Sequence, residues 1–197
     1  MKITIGTGNE HKVVEINEIT KACGYSDIEF IPAPKGFSPI ESGETFEENS
    51  LIKSREAATL SGMVSLADDS GLCIEALNGA PGLYSARYGG SQEEKINRVL
   101  KELEGVENRR AKFVCTMSLV DKNGEIIRIT KGECHGQIIH ERRGENGFGY
   151  DPIFLPDGYD ITIAQMSEEM KNSISHRGRA LTEMLKFISD TMTTSAR

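Results

Sequence analysis

Residues 66–72 read Leu66-Ala67-Asp68-Asp69-Ser70-Gly71-Leu72. Two adjacent carboxylates follow an apolar run, Met63 to Ala67, and precede a Ser-Gly pair. The pattern predicts a β-strand ending in acids beside a turn. Carboxylates on a rigid strand end suit a divalent metal or a general base better than a core, although a solvated strand end carries the same pattern. Normal Asp basicity is low, so a base here needs either a metal that acidifies its water or a neighbouring acid that raises its pKa.

Four further segments carry chemistry. Thr7-Gly8-Asn9-Glu10-His11-Lys12 lies between a predicted strand and a predicted helix. A Gly-bearing turn there offers backbone N–H groups and the positive end of the helix dipole to a phosphate, and Lys12 adds charge. The spacing is not that of a Walker A loop. In the helix after Thr45, Asn49 and Lys53 are four residues apart and share a face on which phosphate oxygens can be held. Glu41, just upstream beside Ser42 and Gly43, is a candidate metal ligand. Gly144-Glu145-Asn146-Gly147-Phe148-Gly149-Tyr150-Asp151-Pro152 sets three glycines around two aromatics, so that Phe148 or Tyr150 can stack on a planar base while Asp151 reads its polar edge. Ser175-His176-Arg177 opens the last predicted helix with two cation-capable side chains. These oppose the dipole, a mismatch that a ligand's negative charge would ease; Lys171 lies just before. A fifth segment, Tyr84-Ser85-Ala86-Arg87-Tyr88, reads as a supporting turn with Arg87 paired to a carboxylate.

The elements that must position these residues follow from periodicity and breakers. Residues 2–7 read as a strand and residues 10–23 as a helix with Val13, Ile16, Thr20 and Cys23 inward, stopped by Gly24. Residues 28–31 form a second strand candidate before a Pro-rich loop. Thr45-Phe46-Glu47-Glu48 and Ser91-Gln92-Glu93-Glu94 are capping boxes, opening helices that end near Gly62 and Gly105. Residues 72–77 read as a hairpin partner of the carboxylate strand. Residues 111–121 and 125–139 are β-rich and joined through Asn123-Gly124, a hairpin signal. Residues 144–160 read as a loop. A last helix from about Ser175 to Ser189 turns Ala180, Leu181, Met184, Leu185 and Ile188 inward, with a frayed tail from Thr191.

The chain has 197 residues and a net charge of -7. That length allows one domain or two close lobes, burying about 70% of the unfolded surface. The acidic balance argues against a broad nucleic-acid surface, while a small anion needs only local cations and a metal. No apolar stretch reaches the ~20 residues that cross a bilayer, and the N-terminus lacks signal-peptide character, so the cytoplasm is the expected location. Cys23, Cys73, Cys115 and Cys134 are too dispersed for a zinc knuckle or disulfide framework, and are expected reduced and mainly buried.

Together, the segments at 7–12, 46–53, 67–72, 84–88, 147–152 and 175–177 closely resemble, in order, the inosine triphosphate pyrophosphatase family, hydrolases of deaminated purine nucleotides. The resemblance covers nearly the whole chain. It implies a single ITPase-like domain over residues 1–197, an α/β fold of two lobes around a long mixed β-sheet flanked by helices, with a nucleotide cleft between lobes. It also implies a homodimer, dependence on Mg2+, and conversion of ITP, dITP or XTP to the monophosphate and pyrophosphate. By position, Asp69 is implied as general base and metal ligand, with Glu41 and Asp68 as further metal ligands. Thr7, Gly8, Asn9, Glu10, His11, Lys12, Asn49, Lys53 and Ser70 are implied as phosphate or ribose contacts. Phe148, Gly149, Tyr150, Asp151, Lys171, His176 and Arg177 are implied as the base-recognition set. A pyrophosphatase preferring pyrimidine or modified nucleotides, and a nucleotide-binding module without turnover, are the competing readings.

Overall fold

The computed structural model describes residues 1–192. Strands β1 (Lys2–Ile5), β2 (Glu29–Pro32), β3 (Ser65–Ile74), β4 (Arg110–Val120), β5 (Ile126–Ile138) and β6 (Phe154–Pro156) form one mixed sheet in the order β2-β1-β3-β4-β5-β6. β1 pairs in parallel with β2 and β3, whereas β5 and β6 are antiparallel. The helices are α1 (Glu10–Ala22), α2 (Phe46–Ser61), α3 (Gln92–Glu102), α4 (Glu168–Ile174) and α5 (His176–Met192). Asn9, Thr45, Ser91 and Ser167 cap the first four through side-chain oxygens. Gly62 ends α2 in the left-handed conformation, which glycine adopts without a Cβ clash.

The chain forms two compact units. The first comprises residues 1–69, 115–132 and 177–197, of which the structure describes those to 192; the second comprises residues 70–114 and 133–176. The first unit's core joins Ile3, Ile5 and Phe30 to Ile16, Leu66, Met117 and the inward face of α5, where Ala180, Leu181, Met184, Leu185 and Ile188 are fully buried. The second unit's core gathers Leu72, Ile96, Val99, Phe113, Tyr150, Ile153 and Phe154.

Several features differ from the sequence reading, among them β6 and a 3-10 turn at Asp151–Ile153, which fall within the expected loop at 144–160. The acids do not end a strand: β3 runs unbroken through Ser70-Gly71 to Ile74, and residues 75–77 form a short 3-10 turn, not a hairpin partner. Gly71 continues as extended backbone, so Ser-Gly makes no turn. The buried stripe of α1 is Glu15, Ile16, Ile19 and Thr20, rotated from the expected one, and Cys23 is exposed. Cys115 and Cys134 are buried, Cys73 is half-buried, and none of the four is in a disulfide. α4, absent from the reading, is announced only by the Ser167-Glu168-Glu169 cap and is too short to show a period. The helix expected to Ser189 extends through Met192; the remainder of the tail expected to fray from Thr191 lies outside the described residues.

Candidate active site

In the first unit, α2 and β3 bring a lysine between two acids. Lys53 Nζ lies 2.7 Å from Asp69 Oδ1 and 3.3 Å from Glu41 Oε1, with Lys53 and Asp69 both buried. Helix α2 can lie this close because Gly6, at the end of β1, has no side chain: a Cβ there would sit 2.8 Å from the Lys53 carbonyl oxygen. The Glu41 loop is tied to the same helix. Gly43 N–H donates to Asn49 Oδ1 at 2.8 Å, and Glu44 N–H donates to Glu48 Oε2 at 2.6 Å. Any Cβ on Gly43 would stand 2.6 Å from Glu48 Cβ.

Asp68 points to the other face of the strand, as the two-residue period requires. Lys12 Nζ donates to both its oxygens, at 2.9 and 3.0 Å, and Arg177 Nη2 to Oδ2 at 3.2 Å. Arg177 also donates to Glu15 Oε2 at 2.8 Å and is 2% exposed. The negative charge facing this helix start therefore comes from the protein's own acids. Arg177 is thus bonded within the acid cluster of the first unit.

The electrostatics separate the two aspartates. Burial works against the charged form of Asp68, but Lys12, Arg177 and Lys53 outweigh it and hold the carboxyl well below the usual carboxylate range. Burial pushes Asp69 up; Lys53 opposes through charge and hydrogen bond, Glu41 and Asp68 reinforce, and the net shift is upward. Lys53 is pulled down by burial, yet Asp68, Asp69 and Glu41 together raise its pKa.

Among the described residues, no group of three His, Cys, Asp or Glu side chains is close enough to hold a metal ion. The Asp68 oxygens are engaged by Lys12 and Arg177. Glu41 and Asp69 each place an oxygen on the same ammonium, so two carboxylates converge on one cationic point. Mg2+ takes one or two carboxylates and completes its shell with water and phosphate; the pair fits that ion.

The segment before α1 forms a compact turn. Thr7 Oγ1 accepts the Asn9 N–H at 3.1 Å, and Asn9 Oδ1 accepts the His11 N–H at 3.0 Å. Gly8, Asn9, Glu10 and His11 are exposed. The side chain of Asn49 is 99% buried by residue and its oxygen is taken by Gly43, so this carboxamide holds the Glu41 loop rather than presenting an acceptor to ligand.

In the second unit, Phe148 is 39% exposed and Lys171 Nζ sits 4.7 Å from its ring centroid. Asp151 Oδ2 accepts from Phe148 N–H at 3.0 Å and Lys171 Nζ at 3.1 Å. Gly149 is half-buried beside them at φ 63. His176 stacks on Phe113, with centroids 4.9 Å apart and planes at 13°. Tyr150 is no stacking platform: it is 3% exposed within the core, and its hydroxyl donates to the Ser85 carbonyl at 2.9 Å. Arg87 lies 5.7 Å from the Tyr84 ring centroid, and no ion pair is found for it among the described residues. Ser70 follows Asp69 on β3 and is half-buried.

Sequence reasoning missed Gly6 and Glu15. Gly6 ends a strand, which is a weak sign of close backbone approach; Glu15 is an acid next to the inward stripe of a helix, the sign of a buried charge that needs a partner.

The Ham1 family model matches residues 3–187. This chain belongs to the Ham1 family. It is 43% identical over 194 residues to a dITP/XTP pyrophosphatase of Desulforamulus reducens, covering 95% of this chain and 96% of that protein. To the dITP/XTP pyrophosphatase of Treponema denticola it is 44% identical over 197 residues, covering 95% and 98%. The solved structure of the Staphylococcus aureus Ham1 protein superposes with a TM-score of 0.85 at 40% identity, covering 96% of this chain and 99% of that one. A HAM1 protein from Coxiella burnetii gives 0.86 at 38% identity, covering 97% and 100%. The mixed sheet with flanking helices is the fold these Ham1 proteins share.

Proposed function

We propose that this protein is a Mg2+-dependent nucleoside triphosphate pyrophosphatase that hydrolyses dITP, XTP and ITP to the monophosphate and pyrophosphate. The observation that carries the reading is the convergence of Lys53, Asp69 and Glu41 beside Lys12 and Asp68 in one unit of a Ham1 chain. Holding a polyphosphate without a metal would not favour acids at 69 and 41, which supports turnover over a metal-free binding module.

Asp69 is the general base. In the metal-free site, burial together with Glu41 and Asp68 raises its pKa against the pull of Lys53; a bound Mg2+ would act against that shift and would acidify the attacking water instead. It takes a proton from a water whose oxygen attacks the α-phosphorus; the bond from that phosphorus to the bridging oxygen breaks, and pyrophosphate leaves. Lys53, kept charged by its three acids, orients the Asp69 carboxylate and offsets charge on the phosphate tail. Lys12, fixed by Asp68, is the second phosphate cation, and the exposed turn at Thr7 to His11 offers its backbone beside it. Mg2+ held by Glu41 and Asp69 would supply a hard cation that neutralises phosphate oxygens and the leaving group. Asn49 and Ser70 are the further candidates for phosphate or ribose contact.

The second unit reads the base. Phe148 offers a partly exposed ring for stacking. Lys171 and His176 supply donors that match the 6-keto oxygen of hypoxanthine and xanthine; the 6-amino group of adenine would leave such donors unpaired, at a cost of about 1–3 kcal/mol per buried group. Asp151 holds Lys171 in place. Arg177 acts on the phosphate side, through Asp68. We further propose a homodimer acting in the cytoplasm, for which two copies per particle in light scattering is the check; no described helix is long and apolar enough to cross a membrane.

Phosphorus NMR of dITP incubated with protein and Mg2+ tests the reading. Monophosphate and pyrophosphate signals support it. Orthophosphate as the first product, or tight binding without turnover, overturns it, and faster cleavage of dTTP or UTP than of dITP moves the substrate class to pyrimidines.

A further inference from the structure

The segment Tyr84 to Tyr88 has no place in the chemistry above, yet its Ser85 is buried and hydrogen-bonded through both its hydroxyl and its carbonyl. Ser85 is 8% exposed. Its Oγ accepts the Leu72 N–H at 2.9 Å and donates to the Gly82 carbonyl at 2.6 Å. Its carbonyl accepts the Tyr150 hydroxyl at 2.9 Å. Leu72 belongs to β3, three residues beyond Asp69. Tyr150 sits between Gly149 and Asp151, in the turn that carries Phe148 and Asp151. One residue thus ties the strand of the general base to the turn of the base-reading side chains.

The tie is held from a second direction. Lys95 Nζ donates to the Ala86 carbonyl at 3.1 Å, and Arg98 Nη1 to the Tyr88 carbonyl at 3.2 Å. The Arg98 guanidinium also lies 3.7 Å from the Tyr88 ring centroid. Helix α3 therefore clamps the segment on which Ser85 sits. The turn itself has little freedom of its own to reposition: Gly147 is at φ 74, and a Cβ there would stand 2.2 Å from Asp151 Oδ2. Burial raises the pKa of the Tyr150 phenol, so it stays protonated and donating at working pH.

We propose that Ser85 and Tyr150 are positioning residues for nucleobase recognition: the chain Leu72 N–H to Ser85 Oγ, and Ser85 carbonyl to Tyr150 hydroxyl, sets the place of Phe148 and Asp151 relative to β3. The proposal rests on the pyrophosphatase reading. Neither residue touches the nucleotide. A relay of this kind has a signature that two independent structural bonds lack. Tyr150→Phe removes the second link and keeps the ring; Ser85→Ala removes the first and keeps the carbonyl. If the two links act in series, breaking either one frees the turn, and breaking both adds nothing.

The experiment is a double-mutant cycle of Tyr150→Phe and Ser85→Ala, read in KM and kcat for dITP and for dATP, with thermal melting as the fold control. Each single variant is expected to raise the KM for dITP about 3- to 10-fold, the loss of one buried hydrogen bond, to leave kcat within about 2-fold, and to narrow the dITP/dATP preference. The double variant is expected to match the larger single effect. KM increases that multiply in the double variant, or a lowered melting temperature with unchanged KM, overturn the relay. Wild-type protein that releases no pyrophosphate from dITP overturns the pyrophosphatase reading instead, so the two failures are distinguishable. Should Ser85→Ala fold poorly, Ser85→Thr keeps a hydroxyl, and restoration of wild-type KM by it, with Tyr150→Phe still impaired, supports the same chain; an unchanged KM in Tyr150→Phe alone is enough to reject it.

Discussion

Two neighbouring aspartates with opposite pKa shifts are the most consequential residues in this molecule. Asp68 and Asp69 are chemically identical and adjacent, yet alternate strand faces give one two bound cations and the other a lysine shared with a second acid. Asp69→Asn is expected to lower kcat by about 10²–10⁴-fold, the range for loss of a general base, with an unchanged circular dichroism spectrum; near-normal turnover would remove Asp69 from the mechanism. Lys53→Ala is expected to raise the KM for triphosphates while leaving the dITP/GTP ratio unchanged. A shifted ratio at constant affinity would place Lys53 with the base instead. Asp68→Asn leaves Lys12 and Arg177 facing a neutral group in a buried site, and is expected to destabilise the fold by about 3–5 kcal/mol in urea unfolding.

At the scale of elements, function depends on how α2 is joined to its neighbours. Thr45 caps it, Gly6 lets β1 approach it, and Asn49 reaches back to Gly43 to hold the loop that carries Glu41. Gly43→Ala would drive a methyl group into Glu48 and Asn49, so the expected outcome is displacement of Glu41. The measurement is Mg2+ binding by calorimetry without nucleotide, where affinity should fall about 10-fold or more, as for lost support around a metal ligand. Unchanged Mg2+ affinity would show that Glu41 is no ligand.

For the whole molecule, the acid cluster sets the response to pH. The folded pKa of Asp68 lies below its unfolded value of about 3.9. The unfolded chain then binds the proton more readily, so this stabilisation is complete above that value and is lost as the pH falls through the folded one. Urea unfolding in EDTA between pH 6 and 3 should show a falling midpoint in the wild type and a flatter profile in Asp68→Asn. Asp69 has the opposite sign: its raised folded pKa makes ionisation unfavourable in the fold, and that penalty accrues as the pH rises through its titration.

Much of this was legible in the sequence because it is local. Helix starts at Asn9, Thr45 and Ser91, the turn at Asn123-Gly124 and the buried face of α5 follow from residue types within a few positions of one another. The carboxylate pair, Lys12 and Lys53 stand out by type alone, and the six ordered segments point to the family. What the sequence could not determine is which charge answers which. The Asp68 oxygens are claimed by Lys12 and Arg177, the Arg177 guanidinium by Glu15 and Asp68, and Tyr150 turns into the core toward Ser85. Those pairings join residues 56 to 162 positions apart. A charged or polar side chain in water has no preferred partner; only burial makes one necessary, and only the packed chain decides which partner is within reach.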